Sequence, residues 1–326
     1  MLAALFNGIL PIFAISVIGY ICGRLKVFDF GSAMILNKFV MFISMPVLGF
    51  KLLSETSLFD VPIELLFGYL ISEICVYLIT FLVARKVFSI DVREAFLLGL
   101  TTALTNHVLF ILPISEILIG RSANLPMVAI ISMDGMLILS GAIIAMDIMT
   151  AKDQGWRSTA IKITTNPPIL GMLSGLLYGL SGLPVAPNVG IFLSNISATA
   201  SPVLLFALGV ILSAKQDEII ASLSSLIVLV KLIVHTIISY SVLVIVFVLP
   251  VELTKPAVMV AAAPCGVMSF MLAMNYGVKV DNIARVILVS SMLSLLTISF
   301  VAICCVLPNR FAPRFACKLF KWVLSE

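Results

Sequence analysis

Apolar residues in this chain neither alternate nor keep to one helical face. They run on for about 20 residues at a time, the length a helix needs to cross a bilayer core. Polar or Pro/Gly breaks separate ten such runs. Five lie near Leu2–Gly23, Ile35–Leu53, Val61–Val83, Ala95–Ile119 and Pro126–Met149, and five near Thr164–Leu180, Val189–Leu212, Leu226–Leu249, Ala257–Tyr276 and Ile283–Leu307. The most polar stretch, Thr150 to Lys162, holds Lys152, Asp153, Gln154, Arg157 and Lys162 and falls between the two sets. The pattern predicts an all-α polytopic membrane protein, with a five-helix unit at 1–150, a cytoplasmic linker at 151–163, a second five-helix unit at 164–307 and a tail at 308–326.

The two halves echo each other. Pro46-Val47-Leu48-Gly49-Phe50 in the second run returns as Pro202-Val203-Leu204-Leu205-Phe206 in the seventh, at a spacing of 156. Pro11-Ile12 returns as Pro168-Ile169 at 157, and Pro113 in the fourth run answers Pro264 in the ninth at 151. Five spans per copy is odd, so the second copy must enter the bilayer upside down, the inverted-repeat plan of many secondary transporters.

Composition narrows the class. Of 326 residues, 61% are hydrophobic and 11% charged, and the mean hydropathy is +1.22; soluble domains carry about 45–50% and about 25%. A water-soluble globule is excluded. Ten helices use roughly 200 residues, which leaves no room for a separate soluble domain. The net charge of +4 reflects loop placement rather than an acidic partner, and nucleic acid is not expected. The six cysteines, Cys22, Cys75, Cys265, Cys304, Cys305 and Cys317, show no C-x-x-C spacing and read as small buried hydrophobes. The first run lacks the order of a cleaved signal and is long enough to span, so it is expected to stay.

Loop charges give orientation. The odd-numbered connections hold Arg24, Lys26, Lys38, Arg85, Lys86, Arg93, Lys152, Arg157, Lys162, Lys215, Lys279 and Arg285; the even-numbered ones hold only Lys51, Arg121 and Lys255. The positive-inside rule then places the odd loops in the cytoplasm and both termini outside. The tail disagrees. It interleaves Arg310, Arg314, Lys318 and Lys321 with Phe311, Phe315, Leu319, Phe320 and Trp322, an amphipathic pattern suited to a membrane surface.

Chemistry in lipid belongs where the backbone breaks or a charge is buried. The fourth run reads Thr101-Thr102-Ala103-Leu104-Thr105-Asn106-His107 on its way to Pro113, and the ninth contains Ala263-Pro264-Cys265-Gly266. Proline lacks an N–H and disrupts the preceding turn, and irregular backbone at membrane depth is tolerated only inside protein or along a cavity. Two matched breaks point to one central anion site, with half-helix N-termini offering N–H groups. Its candidate substrate-binding residues are Asn106, His107, Pro113, Pro264, Cys265, Gly266 and Ser269; a pair of structural kinks is the plainer reading. Glu73 and Lys231 lie at similar depths in the third and eighth runs and read as a structural ion pair, with His235 packing one turn from Lys231. Asp134, mid-way along the fifth run beside Ser132 and Gly135, reads as a coupling group with His107, or else as a buried hydrogen-bonded carboxyl. H-E-x-x-H, G-x-S-x-G and metal-ligand clusters do not occur, so an enzyme, a cofactor and a metal are not expected, and a non-transporting receptor is a remote reading.

Several motifs resemble the auxin efflux carrier family. They are Leu10-Pro11-Ile12-Phe13 with Ile18-Gly19-Tyr20, Asn37 to Pro46, Asn106 to Pro113, Asn166-Pro167-Pro168, Ala200-Ser201-Pro202 to Leu208-Gly209, Lys231 to His235, and Ala263-Pro264-Cys265-Gly266 to Gly277. They cover nearly the whole chain in the family's order. The family includes plant auxin exporters and short bacterial malonate and malate carriers, and it shares its fold with bile acid sodium symporters. The resemblance implies ten helices in two inverted repeats, with proline-broken fourth and ninth helices crossing at the substrate. It also implies a short member in a bacterial cytoplasmic membrane, carrying a small organic anion by alternating access. The expected partners are that anion, the bilayer, a proton or a sodium ion as co-substrate, and a second copy in a homodimer. Two departures matter. Asn106 to Pro113 is bulkier than the family's glycine-containing pattern and carries a histidine, and Ala261 to Asn275 has no Asp or Glu, where bile acid symporters place a sodium-ligating carboxylate. Proton coupling is therefore preferred to sodium, with uncoupled transport as the simpler alternative.

Overall fold

A computed structural model describes residues 14–55, 61–107, 111, 115, 124–150, 161, 164–213 and 220–302. Pro113, most of the 151–163 linker and the tail at 308–326 lie outside the described residues. The described chain is helical throughout: α1 (Ala14–Arg24), α2 (Phe30–Ser54), α3 (Ile63–Val87), α4 (Val92–Ala103), α5 (Leu125–Thr150), α6 (Pro167–Leu180), α7 (Pro187–Ser213), α8 (Ala221–Val246), α9 (Val251–Ala261), α10 (Met268–Asn275) and α11 (Asp281–Val301). No strand occurs among the described residues. Six of these helices, α2, α3, α5, α7, α8 and α11, have 21 to 27 residues and are apolar enough to span a membrane. At 1.5 Å per residue they reach roughly 30–40 Å, enough for the hydrocarbon core. Helices win in lipid because they pair every interior backbone group within one segment.

Local signals set the ends. Asp29 caps α2 by accepting from the Ser32 N–H at 2.8 Å, and Asp91 caps α4 by accepting from the Arg93 N–H at 2.9 Å. Those backbone donors hold both exposed carboxyls below the usual carboxylate range. Prolines open α6 and α7, where a missing N–H costs nothing.

The helices sort into two groups. In the first, α6 lies along the second half of α2, and α1 along α7, at backbone contact. A Cβ on Gly171, Gly175 or Gly179 would strike the carbonyls of Pro46, Phe50 and Leu53; one on Gly19 would strike that of Phe206, and one on Gly209 that of Ser16. Small residues are what let membrane helices approach this closely. The second group is α3, α4, α8, α9, α10 and α11, with α5 packed between it and α2. Asn37 ties the groups together, its amide reaching the Met271 carbonyl and the Asn275 side chain, both at 3.3 Å.

Two features depart from a plain reading of the runs. The fourth run leaves the helix at Leu104, well before Pro113, where the backbone turns extended at ψ 140°. Proline reaches back only about one turn; here tertiary backbone pairing ends the helix first. Widened π turns also interrupt three of the long helices, at Val40–Ser44 in α2, Asp134–Leu139 in α5 and Val230–Val234 in α8. Such turns concentrate at functional sites, and the last two carry Asp134 and Lys231.

Candidate functional site

Helices α4 and α9 have 12 and 11 residues, so each extends roughly 16–18 Å, about half the hydrocarbon thickness. Beyond their ends the two extended segments cross. Thr105 and Cys265 pair antiparallel; the Asn106 N–H donates to the Pro264 carbonyl at 3.1 Å and the Gly266 N–H to the Leu104 carbonyl at 2.9 Å. Each break thus satisfies the other's backbone, which is how irregular chain survives at this depth. Side chains lock the crossing from behind. The Cys265 N–H reaches Ser290 Oγ at 3.2 Å, and the hydroxyls of Thr101 and Ser269 lie 2.8 Å apart. Gly266 sits where a Cβ would come within 3.1 Å of the Thr105 carbonyl, so only glycine fits without adjustment.

A cavity of about 160 Å³ opens beside the crossing, between α2, α5, α6, α7 and the start of α10. Each water needs roughly 10–15 Å³ of such space, so there is room for on the order of ten waters, or for a small organic ion. Most of the wall is apolar. Its polar members are Thr105, Asn106, His107, Ser132, Asp134, Ser197 and Ser201. Asn106 is 5% exposed, and its side-chain N–H group has no partner in the structure; the Ser132 and Ser201 hydroxyls are likewise buried and unpartnered. Val267 and Met268 bring the N-terminus of α10 to the same wall, where the first N–H groups have no carbonyl one turn earlier in the helix and the dipole is positive. Unused donors and a positive helix end, facing a small cavity, suit a carboxylate.

The titratable residues gather around the crossing, His107 and Asp134 in the cavity wall itself. His107 Nε2 lies 3.2 Å from Asp134 Oδ2, within ion-pair range but off the line of a hydrogen bond. Lys231 is fully buried and donates from Nζ to Thr105 Oγ1 at 2.7 Å, with His235 Nδ1 at 3.1 Å. Its charge therefore stands one hydroxyl behind the cavity wall. The contact ion pair expected between Glu73 and Lys231 does not form: the ammonium directs its hydrogen bonds to Thr105 and His235, and the fully buried Glu73 carboxyl neighbours Asp134 instead. No group of three or more potential metal ligands occurs among the described residues.

Of the residues expected at the substrate, Asn106 and His107 line the cavity, as does Asp134. Pro264, Cys265 and Gly266 build the crossing through their backbone, and Ser269 lies behind it against Thr101. Thr105, Ser197, Ser201 and the start of α10 entered through the structure. Their sequence signal was faint: Ser201 adjoins the echoed Pro202, and Thr105 adjoins Asn106.

The family model described as "Membrane transport protein" matches residues 4–302. A curated protein of Rhizobium meliloti (strain 1021), named "Putative malonate transporter", is 25% identical over 308 residues, covering 89% of this chain and 92% of that protein. A match of this extent agrees with a multi-pass helical chain broken around a central cavity, and it makes the protein a membrane transporter rather than an enzyme. The chain belongs to the membrane transport protein family, the auxin efflux carriers that its motifs resemble.

Proposed function

We propose that the protein is a secondary transporter of a small dicarboxylate such as malonate, working by alternating access at the crossing of α4 with the α9–α10 break. The observation that carries this reading is the unpartnered Asn106 amide beside the N-terminus of α10 on one cavity wall. One carboxylate would take these donors, and the Ser132 and Ser201 hydroxyls lie on the same cavity for the second. Malonate enters because the Rhizobium relative is named for it. The positive charge of Lys231 behind Thr105 offsets part of the anion's desolvation.

Ten spans in two inverted repeats remain the organisation that best accounts for the contacts. Gly19 against Phe206 and Gly175 against Phe50 are the same contact displaced by 156 residues, once from each half. The loop charges favour both termini outside, and the resemblance to the short bacterial carriers favours a bacterial cytoplasmic membrane. For coupling, a proton fits better than sodium: His107 and Asp134 sit in the cavity wall, and no carboxylate occurs in residues 261–275.

Uptake of labelled malonate, malate and indole acetate into proteoliposomes, with pH and sodium gradients imposed separately, tests this reading. Malonate should accumulate with the pH gradient alone, and Asn106→Ala should lower its apparent affinity by roughly 10–100-fold, the value of one hydrogen bond to a charged group. Wild-type uptake by that variant would place the site elsewhere.

A further inference from the structure

The Glu73 carboxyl has no part in the wall of the cavity, yet it lies against a residue that does. Glu73 is fully buried in the middle of α3, and Asp134, in the widened turn of α5, is 3% exposed. Helix α3 packs against α5, and the two buried carboxyl groups interact across that contact. None of their four oxygens accepts a hydrogen bond from an N–H or O–H group in the structure. Such a pair is a familiar arrangement: two carboxyls in contact share a proton, because two adjacent negative charges cannot both persist away from water.

The groups around the pair set its charge balance. His107 faces Asp134 at 3.2 Å; Tyr69 stands one turn before Glu73 on α3, and His235 contacts both Lys231 and the Tyr69 ring. Cys265 lies in the crossing beside Lys231. Lys231 is the charge that acts on both carboxyls. One ammonium balances one carboxylate, which leaves the second carboxyl protonated.

We infer that Glu73 and Asp134 hold one proton between them, and that uptake of a second proton by this pair accompanies loading of the anion. With one proton the pair and Lys231 sum to zero. With two, the Lys231 ammonium is uncompensated behind Thr105 and balances one of the two carboxylates that malonate brings into the cavity. Proton and anion therefore favour each other's binding, a reciprocal linkage. This second step rests on the reading of the cavity as an anion site; the resident proton does not. Glu73 acts as a positioning residue for the proton, one layer away from the substrate.

Infrared spectroscopy of the purified full-length protein at neutral pH reads this directly through the carbonyl stretch of protonated carboxyls. The expected result is one such band in the absence of substrate, lost in Glu73→Gln and equally in Asp134→Asn, since either change leaves a single carboxylate facing Lys231. Lys231→Met should double it. In unaltered protein, a carbon-13 label in the carboxyls of Glu alone or of Asp alone should each shift the band, which covers the case of a variant that does not fold. Absence of the band, or a band that answers to only one residue, overturns the shared proton. Malonate should then add a second proton's intensity. Malonate that binds without changing the spectrum overturns the linkage and leaves the transport reading standing. Malonate that does not bind overturns the transport reading and the linkage together, while the substrate-free spectrum still decides the resident proton.

Discussion

The helix pairs α1/α7 and α2/α6 and the cluster around the crossing are both buried, and they are built from opposite materials. The pairs use glycine against backbone, at Gly19, Gly171, Gly175, Gly179 and Gly209, with no charged residue in the contact. The crossing holds Glu73, Asp134, Lys231, His107 and His235 within a few side chains of one another. Each buried charge costs at least roughly 2.5–3.5 kcal/mol on insertion scales, whereas an interhelical hydrogen bond in a membrane protein returns about 0.6 kcal/mol on average. The bond from Lys231 to Thr105 cannot offset that cost. A cluster kept at a loss in stability is kept for what it does, and a frame of close-packed glycines is what can carry it.

Substitutions can break this contrast. The largest effect is expected in the frame: Gly175→Leu drives a side chain into the Phe50 backbone, and overpacking of this kind has no flexible neighbour to absorb it. It should remove most folded protein, seen as loss of the monodisperse peak in detergent. A well-folded variant would show that the pairing is looser than its contacts imply.

Next comes Asp134→Asn, which should leave the amount of folded protein near wild type, abolish accumulation of malonate under a pH gradient, and spare exchange of malonate across the membrane. The charge is removed while the shape stays, so a folding defect here would mean that Asp134 is structural after all. The smallest effect is expected outside both regions. Asp91→Ala removes the cap of α4 at an exposed position, worth about 0.5–1 kcal/mol, and should leave transport unchanged. The Asp91 carboxyl lies below its ordinary range in the folded protein. Its contribution is therefore present at neutral pH and lost as the pH falls through that lowered range, so the thermal midpoints of variant and wild type should converge in acid.

Much of this was legible along the chain, for reasons that differ by region. Long apolar runs mark the spanning helices because lipid imposes length and composition together. Pro264 marked a break correctly because proline acts on its own helix. The break expected over Asn106 to Pro113 opens at Leu104, because the chain there pairs with Pro264 and Gly266, a contact between residues some 160 positions apart; Pro113 itself lies outside the described residues. Lys231 and Glu73 were expected to pair, but which neighbour each side chain takes depends on rotamers. The ammonium found Thr105 and His235, and the carboxyl found Asp134. The π turns that hold Asp134 and Lys231 leave no compositional trace.

The central claim is that an organic anion binds in the cavity beside the crossing, and thiol labelling tests it most directly. Ser201 lines that cavity with a buried, unpartnered hydroxyl. Ser201→Cys, placed in a chain whose six native cysteines are replaced, should react with a small thiol reagent, and malonate should slow that reaction in proportion to its occupancy. Labelling that ignores malonate, in protein that still transports it, would contradict the assignment of the site.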